Sequence, residues 1–384
     1  MDNYSVDLNK YKNSLNIEGF SSMLSSPATC YKFYWLEALV KMISENVTET
    51  TLNDLIDEMI ANAWYTVTEF HIHLSGTIEG EYRDGLERTV NHLKEISDLN
   101  SNDDKDIIKR AINEHKNELQ DNKEQLIGEV PYRALSGFYS VVEDTPPWRN
   151  PGRLVEFINK VNEKTILPYV FSNTESKLDR RVFINPTWRR VIQDNTVQIL
   201  GWIQNEKAKW LQRVNPEVPS IVNKLQPSDA MKRKLDNARD LWRAIITNNN
   251  EAKLDIYSDV IIEPKGFAID HFIPWSFVMN DELWNLTPTT QSANSSKSNY
   301  LPKWEDYFVP FAQKQFLMYN EINNSEEIHK LFEKCYSDNI HSIWAEKELY
   351  TCGNSREKFY KILEENMKPV YDSARRQGYQ LWSR

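Results

Sequence analysis

Only one stretch of the chain, LDIYSDVIIEPKGFAIDHFIPWSF at residues 254–277, is dense in strand-forming residues interrupted by turn signals. Elsewhere apolar residues recur at helical spacing, which predicts a mainly α, multi-lobed fold carrying one small α+β element. Phe33, Leu36, Val40 and Ile43, with Leu39 beside them, mark one buried helix face. Thr51 followed by Asp54 is the signature of a capping box, and Leu52, Leu55, Ile56, Met59 and Ile60 line the helix it opens. Tyr31, Tyr34 and Trp35 suit core packing better than a base-stacking surface. Exposed polar helices are expected around 79–97 and 103–125, further helices at 151–164, 187–213 and 228–247, and helices again beyond 302. The proline-rich stretch EDTPPWRNPGR (143–153) marks a domain boundary or a rigid turn. His71 and His73 would share one face of a strand, but no third ligand accompanies them, so they read as structural.

Composition excludes several function classes. Eleven glycines in 384 residues, with no G-x-x-x-x-G-K and no G-x-G-x-x-G, argue against a nucleotide-hydrolysing motor. No run of about 18 apolar residues occurs, so no membrane span is expected. The polar start MDNYSVDLNKYK lacks the features of a signal peptide. Cys30, Cys335 and Cys352 are far apart and form no paired-cysteine motif, which fits a reducing cytoplasm and gives none of them a role. The net charge of −10 is the wrong sign for a nucleic-acid binder, but it is unevenly spread. Residues 177–243 hold 14 Lys and Arg against 7 Asp and Glu. Lys232, Arg233 and Lys234 are the densest part of this basic segment and the candidate phosphate contacts; Arg239 and Arg243 also face solvent or phosphate.

Residues 269–302, IDHFIPWSFVMNDELWNLTPTTQSANSSKSNYLP, place Asp270 beside His271, then Asn285, then Asn294 and Lys297 three residues apart. Pro264–Gly266 suggests a turn, with Phe267, Ile269, Phe272 and Ile273 in a strand pair, followed by a loop and a short capped helix with Asn294 and Lys297 on one side. Adjacent strand residues point oppositely, so Asp270 and His271 can serve one site only at a bend or a strand end. The residue types suit phosphodiester hydrolysis. A neutral imidazole can deprotonate water, and a carboxylate with an amide oxygen can hold a hard divalent ion.

This run resembles the HNH nuclease motif of the ββα-metal fold, most closely the HNH domain of the RNA-guided CRISPR nucleases, over about residues 250–305. Long helices ahead of it give a weaker likeness to bacterial restriction and antiphage nucleases. The resemblance implies His271 as general base, Asp270 and Asn294 as catalytic metal ligands, Asn285 as a brace for the loop that holds His271, and Lys297 as a phosphate contact. It implies magnesium or manganese as cofactor. No structural zinc is expected, because the paired cysteines of many HNH proteins are absent; Trp275, Phe277, Val278, Trp284 and Leu286 would hold the module by packing instead. The expected organisation is a helical N-terminal domain (1–145), a helical, locally basic region (146–250), the HNH module (251–305) and a helical C-terminal region (306–384). The expected function is endonucleolytic hydrolysis of DNA in the cytoplasm, in restriction or antiphage defence, with RNA left open as substrate. A homodimer is expected, because one motif supplies one active site per chain; a partner protein is the other association considered. The alternatives are a non-catalytic nucleic-acid-binding or effector protein, and an HNH subunit that needs a partner or signal.

Overall fold

Thr51 caps its helix reciprocally: its hydroxyl accepts from the Asp54 N–H, and the Asp54 carboxylate accepts from the Thr51 N–H. The computed structural model describes residues 8–25, 27, 29–75, 77–78, 81–82, 84–128, 130–148, 150–173, 177–225 and 233–383. The chain divides into two units. The first runs to Pro216 and includes Ile221–Pro227; the second comprises Glu217–Ser220 and Ser228–Arg384.

The first unit is helical. Its main helices are α1 (Tyr31–Ser44), α2 (Leu52–Thr68), α3 (Gly85–Ile96), α4 (Lys105–Glu114), α5 (Gln120–Leu126), α6 (Pro151–Lys164), α7 (Pro186–Asp194) and α8 (Thr196–Val214). The apolar faces read from the sequence on α1 and α2 are buried, and Tyr34 and Trp35 lie fully inside the core. Residues 143–148 belong to this unit and precede α6, which has Pro151 at its start and Asn150 as its cap, accepting from the Arg153 N–H. His71 and His73 are not in a strand. The His73 ring lies 2.8 Å from Glu87, and burial lowers the pKa of His71 to about 4.

Several features differ from expectation: the helix expected around 79–97 begins at Gly85, after a strand at Glu81–Tyr82, and the one expected around 103–125 is split into α4 and α5. The helix expected over 187–213 is broken at Asn195, whose side chain donates back to the Val191 carbonyl while its backbone leaves helical geometry. In addition, β1 (Glu49–Thr51), β2 (Tyr169–Phe171) and β3 (Arg181–Ile184) form an antiparallel sheet in the order β1-β3-β2. Strands of three or four residues are too short to show a period-two pattern.

The second unit contains α9 (Asp236–Asn248), β4 (Ala268–His271), β5 (Leu286–Thr289), α10 (Gln291–Lys297), α11 (Trp304–Asn324), α12 (Glu326–Cys335) and α13 (Arg356–Arg376). The helix expected from 228 begins at Asp236 and buries Ala238, Leu241, Trp242 and Ile245. Arg239 and Arg243 pair with Asp236 and Asp240 on the same helix, an ordinary solvated face.

β4 pairs antiparallel with β5, with Asp270 opposite Thr287 and His271 opposite Leu286. The partner strand therefore comes after the Asp-His pair and not from a hairpin about Pro264–Gly266. Both strands are buried at every position, which erases the alternation a half-buried strand would show, and Pro288 hides β5 further. The long helix α11 is the scaffold. Phe272 lies against Phe311 at 4.5 Å and Trp304 at 6.0 Å, Gln315 Nε2 donates to the Leu286 carbonyl at 2.6 Å, and Lys314 Nζ donates to the Ala252 carbonyl at 2.7 Å. Phe277, Val278, Trp284 and Leu286 are buried as packing requires, whereas Trp275 is only half-buried and lines a cavity instead.

Candidate active site

β4 ends at His271, which resolves the opposed directions of neighbouring strand residues: Asp270 and His271 both reach one cavity of about 200 Å³. Asn294, on α10, and Arg233 line the same cavity, together with Trp275 and Asn299. Two surface clefts of about 350 and 380 Å³ lie in the first unit, lined mainly by exposed polar side chains without this combination of imidazole, carboxylate and amide.

The loop 272–285 is closed by Asn285, which is fully buried. Its Oδ1 accepts from the Ile273 N–H at 2.8 Å and its Nδ2 donates to the Ile273 carbonyl at 2.9 Å. The two bonds tie the end of the loop to the residue two places after His271. Asn285→Ala leaves the N–H and the carbonyl of buried Ile273 without these partners, so it should lower the stability of this unit by on the order of 2–4 kcal/mol. Urea denaturation checks this; an unchanged midpoint would mean that solvent replaces both bonds.

The α10 helix is pinned by Asp255, a buried carboxylate that the sequence reading did not single out. It accepts from the Tyr257 N–H, the Ser258 hydroxyl, the Thr289 hydroxyl and the Thr290 N–H. Thr290 in turn caps α10 by accepting from the Ala293 N–H. The Asp-x-Tyr-Ser turn at 255–258 was the available signal, an aspartate accepting from the backbone two residues on.

Asp270 is held from two sides. Its Oδ2 accepts from the Tyr257 hydroxyl at 2.8 Å and its Oδ1 from Lys297 Nζ at 3.1 Å. Lys297 also donates to the His271 carbonyl at 2.7 Å and has no exposed surface. Burial lowers its pKa, against the opposing pull of Asp270. A phosphate contact at Lys297 is therefore not what the structure provides. The last turn of α10 faces the module core, and the lysine neutralises Asp270 from behind.

His271 is buried, and its Nε2 lies 2.9 Å from Asp281 Oδ1. Burial lowers the imidazole pKa, with Asp281 opposing, so the ring is neutral at cellular pH. Burial alone would raise the Asp281 carboxyl, but the bonds from His271 and the Lys234 N–H hold it below the usual range. Asp281, ten residues from the histidine, was not anticipated.

The basic cluster divides. Lys232 lies outside the described residues. Arg233 is exposed, with its guanidinium 5.1 Å from the Trp275 ring centroid at the cavity. Lys234 turns away: its Nζ pairs with Asp338 at 2.9 Å while its backbone N–H donates to Asp281 Oδ2 at 2.6 Å. Its ammonium is thus committed to a carboxylate and not to the cavity.

Among the described residues no group of three or more His, Cys, Asp or Glu could hold a metal ion. Asp270 and Asn294 still fit a divalent ion. Lys297 Nζ lies 3.1 Å from both Asp270 oxygens and the Tyr257 hydroxyl bonds Oδ2, so a lone-pair direction stays open at Oδ1, and no described protein group bonds the half-buried Asn294 side chain. A carboxylate and an amide oxygen are hard donors, and magnesium takes few protein ligands while keeping several waters.

Residues 253–303, from the turn ahead of Asp255 to the start of α11, match the family model described as HNH endonuclease. This segment is thereby similar to the HNH endonucleases as a family, a similarity that implies a nucleic-acid substrate and a divalent ion and does not single out one group of HNH endonucleases. No curated protein and no solved structure matches the chain. No helix among the described residues is long and apolar enough to cross a membrane.

Proposed function

We propose that the protein is an endonuclease that hydrolyses phosphodiester bonds in DNA with the help of a divalent ion, magnesium or manganese. The observation that carries this reading is the convergence of a buried imidazole, a carboxylate, an amide that no described protein group bonds and an arginine on one small cavity. In this reading His271 takes a proton from the attacking water, and burial keeps it free to do so. Asp270 and Asn294 would hold the ion, with Lys297 keeping the Asp270 carboxylate in place. When bound, the ion would neutralise charge on the phosphate and on the leaving oxygen. Arg233 meets a phosphate oxygen at the mouth of the cavity. The helical segments 1–145, 146–250 and 306–384 are assigned to binding nucleic acid, to dimerisation or to restraining the module. Bacterial restriction or antiphage defence in the cytoplasm is the proposed setting.

The test is incubation with supercoiled plasmid, with and without magnesium. Nicked or linear product that depends on the metal and stops with a chelator supports the enzyme. Retardation of DNA without cleavage in either metal would support a non-catalytic binding module, and cleavage appearing only after addition of cell extract would support a partner-dependent subunit. A two-fold dimer would bring two sites to one duplex and give linear product early. A monomer by light scattering that yields only nicked circles would remove the dimer from this proposal.

Arg233 allows a more specific prediction. Arg233→Glu should lower the slope of log affinity against log salt by about 0.9 for duplex DNA, the value of one phosphate contact. Lys234→Gln should lower the slope by less, because its ammonium pairs with Asp338 and not with the cavity. Equal effects from the two variants would return both residues to a diffuse basic surface.

A further inference from the structure

Asp281 is placed as more than a loop residue. Its two carboxylate oxygens each receive a donor: Oδ2 accepts the Lys234 N–H at 2.6 Å, and Oδ1 lies 2.9 Å from His271 Nε2. A carboxylate between two donors can only accept, so Nε2 must carry the ring hydrogen, and in the neutral imidazole this leaves the lone pair on Nδ1. No described protein group bonds Nδ1, and the ring borders the cavity. The carboxylate is itself clamped. The fully buried Asn339 donates through Nδ2 to the backbone carbonyls of both Asp281 and Lys234, at 2.8 and 2.9 Å. His271 and Asp281 side chains are 4% and 9% exposed, so water competes little for the bond between them.

We infer that Asp281 is a positioning residue for His271: it holds the ring in the Nε2–H tautomer and makes Nδ1 the atom that receives the proton from water. The inference rests on the reading of His271 as base. It also ties the base to the phosphate contact, because the same carboxylate fixes the backbone of Lys234, the neighbour of Arg233.

The chemistry gives an unusual ordering of variants. Asp281→Asn is nearly isosteric but has one acceptor and one donor. The Lys234 N–H can be met only by the oxygen, so the amide NH2 turns toward His271 and makes Nε2 an acceptor. The proton then moves to Nδ1, and the base is lost although the fold is kept. Asp281→Ala removes the bias without reversing it, leaving a mixture of tautomers and a less stable loop.

Long-range proton–nitrogen correlation on metal-free protein labelled with ¹⁵N-histidine reads the tautomer directly, with His271 assigned by its absence from His271→Gln. The expected result is Nε2–H in the wild type, Nδ1–H in Asp281→Asn and a mixture in Asp281→Ala. On plasmid, kcat should fall about 10²–10⁴-fold in Asp281→Asn and less in Asp281→Ala, although the Asn variant melts at the higher temperature. KM and the magnesium dependence should be unchanged in both. Asp281→Asn should add no further loss to His271→Ala, because both act through one ring. A wild-type tautomer in Asp281→Asn, or a rate loss of equal size with and without His271, overturns the inference while leaving His271 as base. Near wild-type cleavage by His271→Ala is a different failure: it removes the base itself, whatever the tautomer experiment shows.

Discussion

His271→Ala should lower plasmid cleavage by about 10²–10⁴-fold, the range of a lost general base, and should leave the magnesium concentration for half-maximal residual activity unchanged. The second half of this result separates roles. Asp270 and Asn294 supply the proposed ligand oxygens, and neither accepts a hydrogen bond from the His271 ring. The variant is not silent in stability. Removing the ring takes one of two donors from Asp281, whose side chain is only 9% exposed, at a cost of about 1–3 kcal/mol. That is less than the usual margin of a folded domain, so circular dichroism should report an intact fold with a lowered melting temperature. Cleavage near the wild-type rate at neutral pH would show that another group, or the solvent, takes the proton.

The legible parts of this chain were those written in local pattern. The faces of α1 and α2, the Thr51 capping box and the Pro151 helix start each depend on residues within one or two turns, and all are present. Asp270, His271, Asn285 and Asn294 were legible because their order along the chain repeats a known motif, and the structure gathers all but the bracing Asn285 around the cavity. What stayed hidden depends on pairings between segments. Tyr257 meets Asp270 across 13 positions, Asp281 meets His271 across 10, and Asp255 reaches Thr289 across 34, with nothing in the intervening sequence to mark the partners. β5 was hidden by the proline within it. Lys234 illustrates the limit of charge counting: it adds to a basic segment, but Asp338, 104 residues later, takes up its charge.

Lys297 separates the motif from the fold most sharply. As a surface phosphate contact its replacement would spare stability and lower the salt slope by about 0.9. The structure requires the opposite. Lys297→Met strands the Asp270 carboxylate in a site 5% exposed, with the Tyr257 hydroxyl as its remaining protein donor. Breaking a buried pair from one side costs about 3–5 kcal/mol. For a unit of this size each kcal/mol shifts the midpoint by about 2–4 °C, so melting should fall by on the order of 10 °C. The salt slope should not move. Asp270→Asn together with Lys297→Met removes both charges and should recover most of the lost stability, since a matched neutral pair carries no stranded ion. Cleavage should remain lost in the double variant, because an amide is a poorer ligand than the carboxylate it replaces. Differential scanning calorimetry and salt-titrated DNA binding on the same three proteins decide the matter. A melting temperature unchanged in Lys297→Met, with a flatter salt dependence, would put the lysine back on the surface and the phosphate back on Lys297.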